Sequence, residues 1–511
     1  MEIDLAHLDS PQSNPLRAHI CIIGAGIAGL TLAHKLTRLG ADVLLLEAGG
    51  RTQSASSDDS DAEVIQQGHP HPGTAEPSAR AFGGTSLTWG GQLLPLPENN
   101  TWPITAAELA PFNNEAEHLL GVDDLSYDAP SFFTKLQERT PDLLEQLPQL
   151  DVAVSKFVPF AHRNLAQTLG RDLRAHSKTR VLLHAQATEL LLAPTRDRIQ
   201  AVLVRTPAGP HGVQTHRIEA THFVLAAGTI ETVRLLLASR SVAPEGVGNQ
   251  NDQVGRNFHD HLTTTAATIQ NPARDHVLTT LGPRVFRGTL HSFKLAADPE
   301  LRARLHLTPI LAHLTFEESD TSGMAVLRSL LRARQQGHLS TTLRQSLPRL
   351  PPTLLEAAHL TWSARIQRRR YISQQTKVFL RLNAAQQTPS TSRITLSPDL
   401  KPILDWRLHP TELSTLRAFS THLRTHLERT HSTGFTWNDP LHLDDARHAM
   451  GGACMGTHPH TSVVTPNLRV HNLQNLFVVS AATFPDGSPQ LPTLPLMALS
   501  LRLAEQLHKL Y

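Results

Sequence analysis

Cysteine is nearly missing from this chain, with two in 511 residues, Cys21 and Cys454. Cys21 lies inside an apolar strand pattern, so a structural disulfide is not expected and a reducing compartment fits. Long hydrophobic runs are missing too. No segment reaches the roughly 18 uninterrupted apolar residues of a membrane-spanning helix. Met1 to Ala18 carries Glu2, Asp4 and Asp9 and no apolar stretch of signal-peptide length, which makes a cytoplasmic location the expectation. Nor is there an excess of one charge: the formal net charge of +2 is too small to argue for nucleic acid as a partner. No internal repeat is visible.

What is present is ordinary for a soluble globular protein, 40% hydrophobic and 18% charged residues, in a chain long enough for two or three domains. The 30 histidines lie mostly outside any motif and read as compositional bias. Acid is scarce in one region. From Thr321 to Pro398 only Glu356 stands against twelve Arg and Lys, among them Arg365, Arg368, Arg369, Arg370, Lys377 and Arg381. A basic solvated surface is the favoured reading. Docking on an anionic membrane or an acidic electron-acceptor protein is the other.

The first unit is a βαβ. His19–Ile23 reads as an apolar strand, Gly24–Gly29 as a glycine turn, Leu30–Leu39 as a helix and Ala41–Glu47 as a second strand. Thr52 to Ala79, rich in Ser, Asp, Gly and Pro, reads as a long loop. Further strand-like runs follow at Val181–Leu192, Ile199–Arg205, His222–Ala227, Leu307–Phe316, Lys377–Asn383, Arg393–Leu396 and Asn475–Ser480, and Thr493–Leu507 is an amphipathic helix opened by prolines.

Gly24-Ala25-Gly26-Ile27-Ala28-Gly29 fits G-x-G-x-x-G in the strand–turn–helix setting that its physics needs. The first glycine permits the tight turn, the second lets backbone approach a pyrophosphate, and the third lets helix and strand pack closely. The helix N-terminus offers N–H groups and partial positive charge to phosphates. Glu47 ends the second strand, where an acid can accept ribose hydroxyls. The motif implies a dinucleotide and does not separate a flavin from a nicotinamide.

Three further segments carry a family resemblance. They are Arg80-Ala81-Phe82-Gly83-Gly84-Thr85-Ser86-Leu87-Thr88-Trp89-Gly90-Gly91, Val254-Gly255-Arg256-Asn257-Phe258-His259-Asp260-His261, and His448-Ala449-Met450-Gly451-Gly452-Ala453-Cys454-Met455-Gly456. Together they resemble the flavin-contacting segment and two later signatures of the glucose–methanol–choline (GMC) oxidoreductases. Their pattern is closest to bacterial sugar and polyol enzymes, including pyranose-oxidase-like members. The match continues through Asn475-Leu476-Phe477-Val478-Val479 and Pro492-Thr493-Leu494, and is weak from roughly 269 to 375.

The resemblance implies an α/β fold: a Rossmann-type FAD-binding domain (17–120, 179–268, 445–511) with an interleaved substrate or cap domain (121–178, 269–444) built on an antiparallel sheet plus helices. It implies FAD-dependent oxidation of a CH–OH group of a small alcohol, such as a sugar or polyol. Hydride passes to flavin N5, and O₂, a quinone or another acceptor reoxidises the cofactor. His448 stands at the family's catalytic-histidine position, and a neutral imidazole suits proton abstraction near pH 7. The usual second His or Asn is Leu491 here, which makes no hydrogen bond, with Gln490 beside it as a substitute. That departure leaves open a hydroxynitrile-lyase-like activity or a catalytically altered flavoprotein.

Flavin contacts are expected at Gly24, Gly26, Ile27, Ala28, Gly29, Glu47, Arg80, Gly83, Gly84, Thr85, Ser86, Trp89, Gly90 and Gly91. They are also expected at Ala187, Ala227, Gly228, Pro492 and Thr493, the last two opening a helix aimed at the flavin. Thr88 stands where pyranose-oxidase-like relatives carry a covalently linked His, so non-covalent FAD is expected. Cys454 reads as a buried small hydrophobe. No metal is expected: the pair His422 and His426 reads as a solvated helix face, and His69, His71, His458 and His460 as loop residues.

Overall fold

The computed structural model describes residues 1–7, 15–52, 63–75, 79–98, 100–141, 149–207, 212–318, 325–326, 329–330, 333, 356, 358–430, 433–489 and 491–510. Gln490 and much of the acid-poor stretch between 319 and 357 lie outside them.

The sequence-predicted βαβ forms as strand Leu16–Ile23, helix Ile27–Arg38 and strand Val43–Leu46. These strands sit inside an eight-stranded sheet ordered Glu2–Asp4, Thr179–Leu183, Val43–Leu46, Leu16–Ile23, Thr215–Leu225, Ile199–Arg205, Gln186–Leu192. Leu476–Val478 also pairs with Thr215–Leu225, in parallel. The pairings from Glu2–Asp4 to Thr215–Leu225 are parallel, and only the Ile199–Arg205 and Gln186–Leu192 pairings are antiparallel. Strands from the beginning, middle and end of the chain therefore share one Rossmann-type sheet. Two-sided burial suits the fully buried run Val43–Leu46.

One expected strand, Val181–Leu192, is two. His184 adopts a left-handed backbone with φ of 52°, which ends Thr179–Leu183 and starts a separate strand at Gln186. The two halves stand at different places in the sheet.

The second sheet has nine strands and antiparallel pairing. Its order is Phe435–Trp437, His261–Ile269, Lys377–Ala385, Ile310–Glu317, Thr289–Ala297, Leu150–Phe157, Gln92–Leu93. Val378, Leu380, Leu382 and Ala384 alternate along one strand onto one face. Helix Pro410–Thr430 packs there with Leu416, Phe419, Leu423 and Leu427 buried. His261–Ile269 lies second in this sheet, between the edge strand Phe435–Trp437 and Lys377–Ala385.

The expected loop Thr52–Ala79 needs correction. Within it, Ile65–Gly68 is a strand pairing in parallel with Pro402–Trp406, and Pro72–Ala75 is a short helix. The polar composition hid this edge strand because none of its side chains is buried. The C-terminal helix Thr493–Lys509 closes the molecule against Ile27–Arg38 and Ala106–Leu119, where Lys35 Nζ reaches Glu115 at 2.8 Å and Glu505 at 3.5 Å.

Candidate active site

The glycine turn is shaped by contacts that tolerate no side chain. A Cβ on Gly29 would lie 1.8 Å from the Gly24 carbonyl oxygen, and one on Gly24, at φ of +108°, 2.5 Å from that of Ala226. A Cβ on Gly26 would meet nothing within 4 Å. Open space therefore lies beside Gly26, at the end of helix Ile27–Arg38, whose first turn has no side-chain cap. Ile27 and Ala28 carry that turn. An N-terminus left uncapped beside an open cradle suits a diphosphate.

Glu47 lies against this cradle. Its carboxylate accepts from the N–H of Ala25 at 3.1 Å and of Gly49 at 2.9 Å. Burial raises its pKa, partly offset by those backbone donors.

The second glycine segment folds onto the first. Gly83 N–H donates to the Ala25 carbonyl at 2.9 Å, Phe82 N–H to that of Gly50 at 2.9 Å, and a Cβ on Gly84 would stand 2.8 Å from Gly26 Cα. Ser86 Oγ donates to the Gly83 carbonyl, while Thr85, Thr88 and Gly90 are exposed. Trp89 Nε1 donates to the Arg163 carbonyl, and Arg163 lies against Gly91.

Arg80 lies 3.7 Å from Glu231, which also binds Arg234, whose guanidinium donates to the Ala187 carbonyl at 3.2 Å. Ala227 lies against Gly24, and Gly228, at φ of 72°, opens helix Gly228–Ala238. Gly24, Gly26, Gly29, Glu47, Gly83, Gly84 and Ala227 thus gather around one cradle, whose open, uncapped helix end has the chemistry to take a dinucleotide. Pro492 caps helix Thr493–Lys509 without a side-chain cap bond, and Leu491, half-buried, precedes it.

The signature around His261 and the one around His448 run antiparallel. His259 and Met450 exchange both backbone hydrogen bonds, at 3.0 and 2.9 Å. Gly451, at φ of 79°, admits the close crossing, since a Cβ there would lie 2.0 Å from the Asn257 carbonyl. Two residues along each strand from that bridge, His261 and His448 face one another. Their Nδ1 atoms are 3.1 Å apart and their rings meet edge to face.

Asp260 anchors the pair from behind. Its Oδ2 accepts from the His448 N–H at 2.8 Å and from His71 Nε2 at 3.1 Å, and its Oδ1 from the His261 N–H. Its own N–H donates to Gln386 Oε1, which also accepts from Trp406 Nε1. The His71 ring packs edge-on against Trp406 and Phe258.

Electrostatics sort these groups into roles. Burial brings His261 down to about 3, with His448 adding to the effect, so it is neutral at physiological pH. Burial also lowers His448, opposed by the charges of Asp260 and Asp445. Burial would raise Asp260, but the hydrogen bond from His71 and the nearby histidines outweigh it and hold the carboxyl below the usual range. Two clusters have the donor atoms of a metal site: Asp260, His261 and His448, and His71, Asp260 and Asp445. Their short mutual hydrogen bonds account for Asp260, His261 and His448 without an ion.

Sequence reasoning missed His71, Asp260 and His261 as site residues. His71 read as a solvated loop histidine and is instead fully buried, while Asp260 and His261 stood in a recognised signature without a role. Cys454 is a buried thiol donating to the Phe484 carbonyl, with burial pushing its pKa up to about 12. His426 Nδ1 donates to the His422 carbonyl, an internal helix contact.

Comparison with known proteins agrees with this geometry. Residues 162–263 and 388–500 match the two GMC oxidoreductase family models, and 22–104 match an NAD(P)-binding Rossmann-like domain. The fructose dehydrogenase large subunit of Gluconobacter japonicus is 23% identical over 96% of this chain and 97% of its own. Paromamine 6'-oxidase of Streptomyces fradiae is 22% identical over 95% and 90%. The crystal structure of pyridoxine 4-oxidase from Mesorbium loti superposes with a TM-score of 0.60 at 15% identity, covering 96% and 99% of the two chains. The chain belongs to the GMC oxidoreductase family and is a flavin-dependent alcohol oxidoreductase of that type.

Proposed function

We propose that this enzyme oxidises a CH–OH group of a small alcohol, a sugar, polyol or related compound, to a carbonyl, with His448 as base and non-covalent FAD. The observation that carries the reading is the His448–His261 contact. When His448 Nδ1–H donates to the Nδ1 lone pair of neutral His261, the Nε2 of His448 is left with a lone pair. That is the tautomer a general base needs. Asp260 fixes the backbone of the same residue. A flavin bound over the glycine cradle would supply the hydride acceptor. His448 takes the hydroxyl proton, and the resulting imidazolium keeps its Nδ1–H bond to His261.

Thr88 is exposed and offers no imidazole for a covalent link, in keeping with a dissociable flavin. Both thiols are buried and unpaired, as a cytoplasmic location would have them. Relatives named for fructose and paromamine support a polyhydroxylated substrate.

Anaerobic mixing of the holoenzyme with a panel of sugars, polyols and simple alcohols tests the reading. Bleaching of the oxidised-flavin band is expected, with reoxidation by O₂ or a quinone identifying the acceptor. Turnover without bleaching would instead mark a lyase. Neither, with every alcohol, would point to the altered site that Leu491 raises.

A further inference from the structure

We propose that Lys294, His313 and Arg381 form a binding row for an oxyanion group, carboxylate or phosphate, carried by the alcohol substrate. The proposal rests on the alcohol-oxidising reading and adds the substrate's chemical class.

The row follows from sheet register. Leu295 pairs with Ala312, which places Lys294 opposite His313, and His313 pairs with Arg381, which pairs with Thr265. Directly paired residues point to one face, and adjacent strands stand about 4.8 Å apart, so the three basic side chains line roughly 10 Å of a single face. It is the face turned away from helix Pro410–Thr430, whose side of the same strand holds Val378, Leu380 and Leu382.

The same face carries the catalytic pair. His261, Thr263 and Thr265 alternate onto it, and Arg381 Nε donates to Thr263 Oγ1 at 2.6 Å. Thr263 is two residues, roughly 7 Å, from the histidine that contacts His448. A small bifunctional substrate spans that distance.

The opposite face supplies the contrast. There Lys156 meets Glu117 at 3.3 Å, and His291 meets Asp123 at 3.1 Å. Lys294 is 1% exposed, yet it makes no hydrogen bond or ion pair with the described residues. His313 Nδ1 is buried without a partner, and no carboxylate of the described residues pairs with Arg381. A buried ammonium with no counter-ion is costly, and a basic row kept in that state suits an anion that arrives from outside. Burial brings Lys294 down to about 7, and burial, then Lys294 and Arg381, holds His313 well below its ordinary value. A bound oxyanion would restore both charges.

The test is calorimetric titration of the holoenzyme with sodium acetate and, separately, inorganic phosphate. Four proteins are compared: wild type, Lys294→Met, Arg381→Met and the control Lys377→Met, which removes an exposed lysine paired with Glu317. Saturable binding of one anion to wild type and control is expected, weakened about tenfold or more in the other two, as for a lost charged hydrogen bond. Acetate alone binding identifies a carboxylate, and phosphate alone a phosphate. Lys294→Met exchanges an unpaired buried cation for an apolar chain of similar length, so its Tm is expected to hold or rise. No saturable binding to wild type, or equal binding by all four, overturns the proposal. Because the titration needs no turnover, an enzyme that no alcohol reduces would refute the activity while leaving this test readable.

Discussion

Nδ1 of His261 stands 3.1 Å from Nδ1 of His448, and this contact sets which nitrogen of His448 can take a proton. Replacing His448 with Ala removes the proposed base. kcat is expected to fall about 10²–10⁴-fold while the bound-flavin spectrum stays intact. His261→Leu keeps the base and loses its partner. The expected fall in kcat is smaller, up to roughly tenfold, the worth of one hydrogen bond. Stopped-flow flavin reduction measures both, and equal effects would show that His261 does more than orient.

The pH profile follows from the environment of His448. Burial disfavours its cation, so its pKa lies below the ordinary 6.5 and the basic form persists into mildly acidic solution. kcat/KM should hold as pH falls to 6.5 and drop only below it. Asp260 opposes the lowering. Asp260→Asn should therefore move the acidic limb to still lower pH. A limb above 6.5 in the wild type would contradict a buried base.

The glycine turn separates folding from cofactor binding. Gly29→Ala drives a methyl to 1.8 Å from the Gly24 carbonyl, so soluble protein is expected to be lost. Gly26→Ala meets nothing within 4 Å at a φ of −80°, which any residue adopts. The variant should fold with an unchanged circular-dichroism spectrum and hold less flavin, because its methyl enters the cradle. Flavin-to-protein absorbance ratios check this, and full flavin content in Gly26→Ala would place the diphosphate elsewhere.

Legibility followed periodicity and local motifs. Val43–Leu46 and the Ile20–Ile23 end of Leu16–Ile23 were readable because a fully buried parallel strand segment is a continuous apolar run, whereas Leu16–Ala18, with exposed Arg17, was not. Arg393–Leu396 was readable from its own alternation. Ile65–Gly68 was not, since an edge strand with one half-buried and three exposed residues carries no such signal. His71 stayed hidden for a related reason. Its burial is created by Trp406 and Phe258, more than 180 residues away, and nothing local announces it. Asp260 and His261 stood in a legible signature, but their task depends on the bridge between His259 and Met450, which only the tertiary fold supplies. The basic row was partly visible as an acid-poor stretch. Register across separate strands turns one of its members, Arg381, from a surface charge into the neighbour of His313, which Lys294 faces from the other side.

His71 and Asp260 make the last prediction one of stability. Both side chains are fully buried, and the carboxylate gathers the His71 ring and the N–H groups of His261 and His448. His71→Phe removes a charged-acceptor hydrogen bond and should cost about 1.5–3 kcal/mol, and Asp260→Ala about 3–5 kcal/mol. Asp260 is held below the unfolded value of about 3.9. Its contribution is therefore complete above that value and is lost as pH falls through the lower, folded pKa. Without the His71 donor the folded pKa rises, so the acid loss in His71→Phe should begin at higher pH than in the wild type. Urea midpoints measured from about pH 3 to 7 give the comparison. Superimposable pH profiles would mean that His71 does not hold the carboxylate, and the framework behind His448 would need another support.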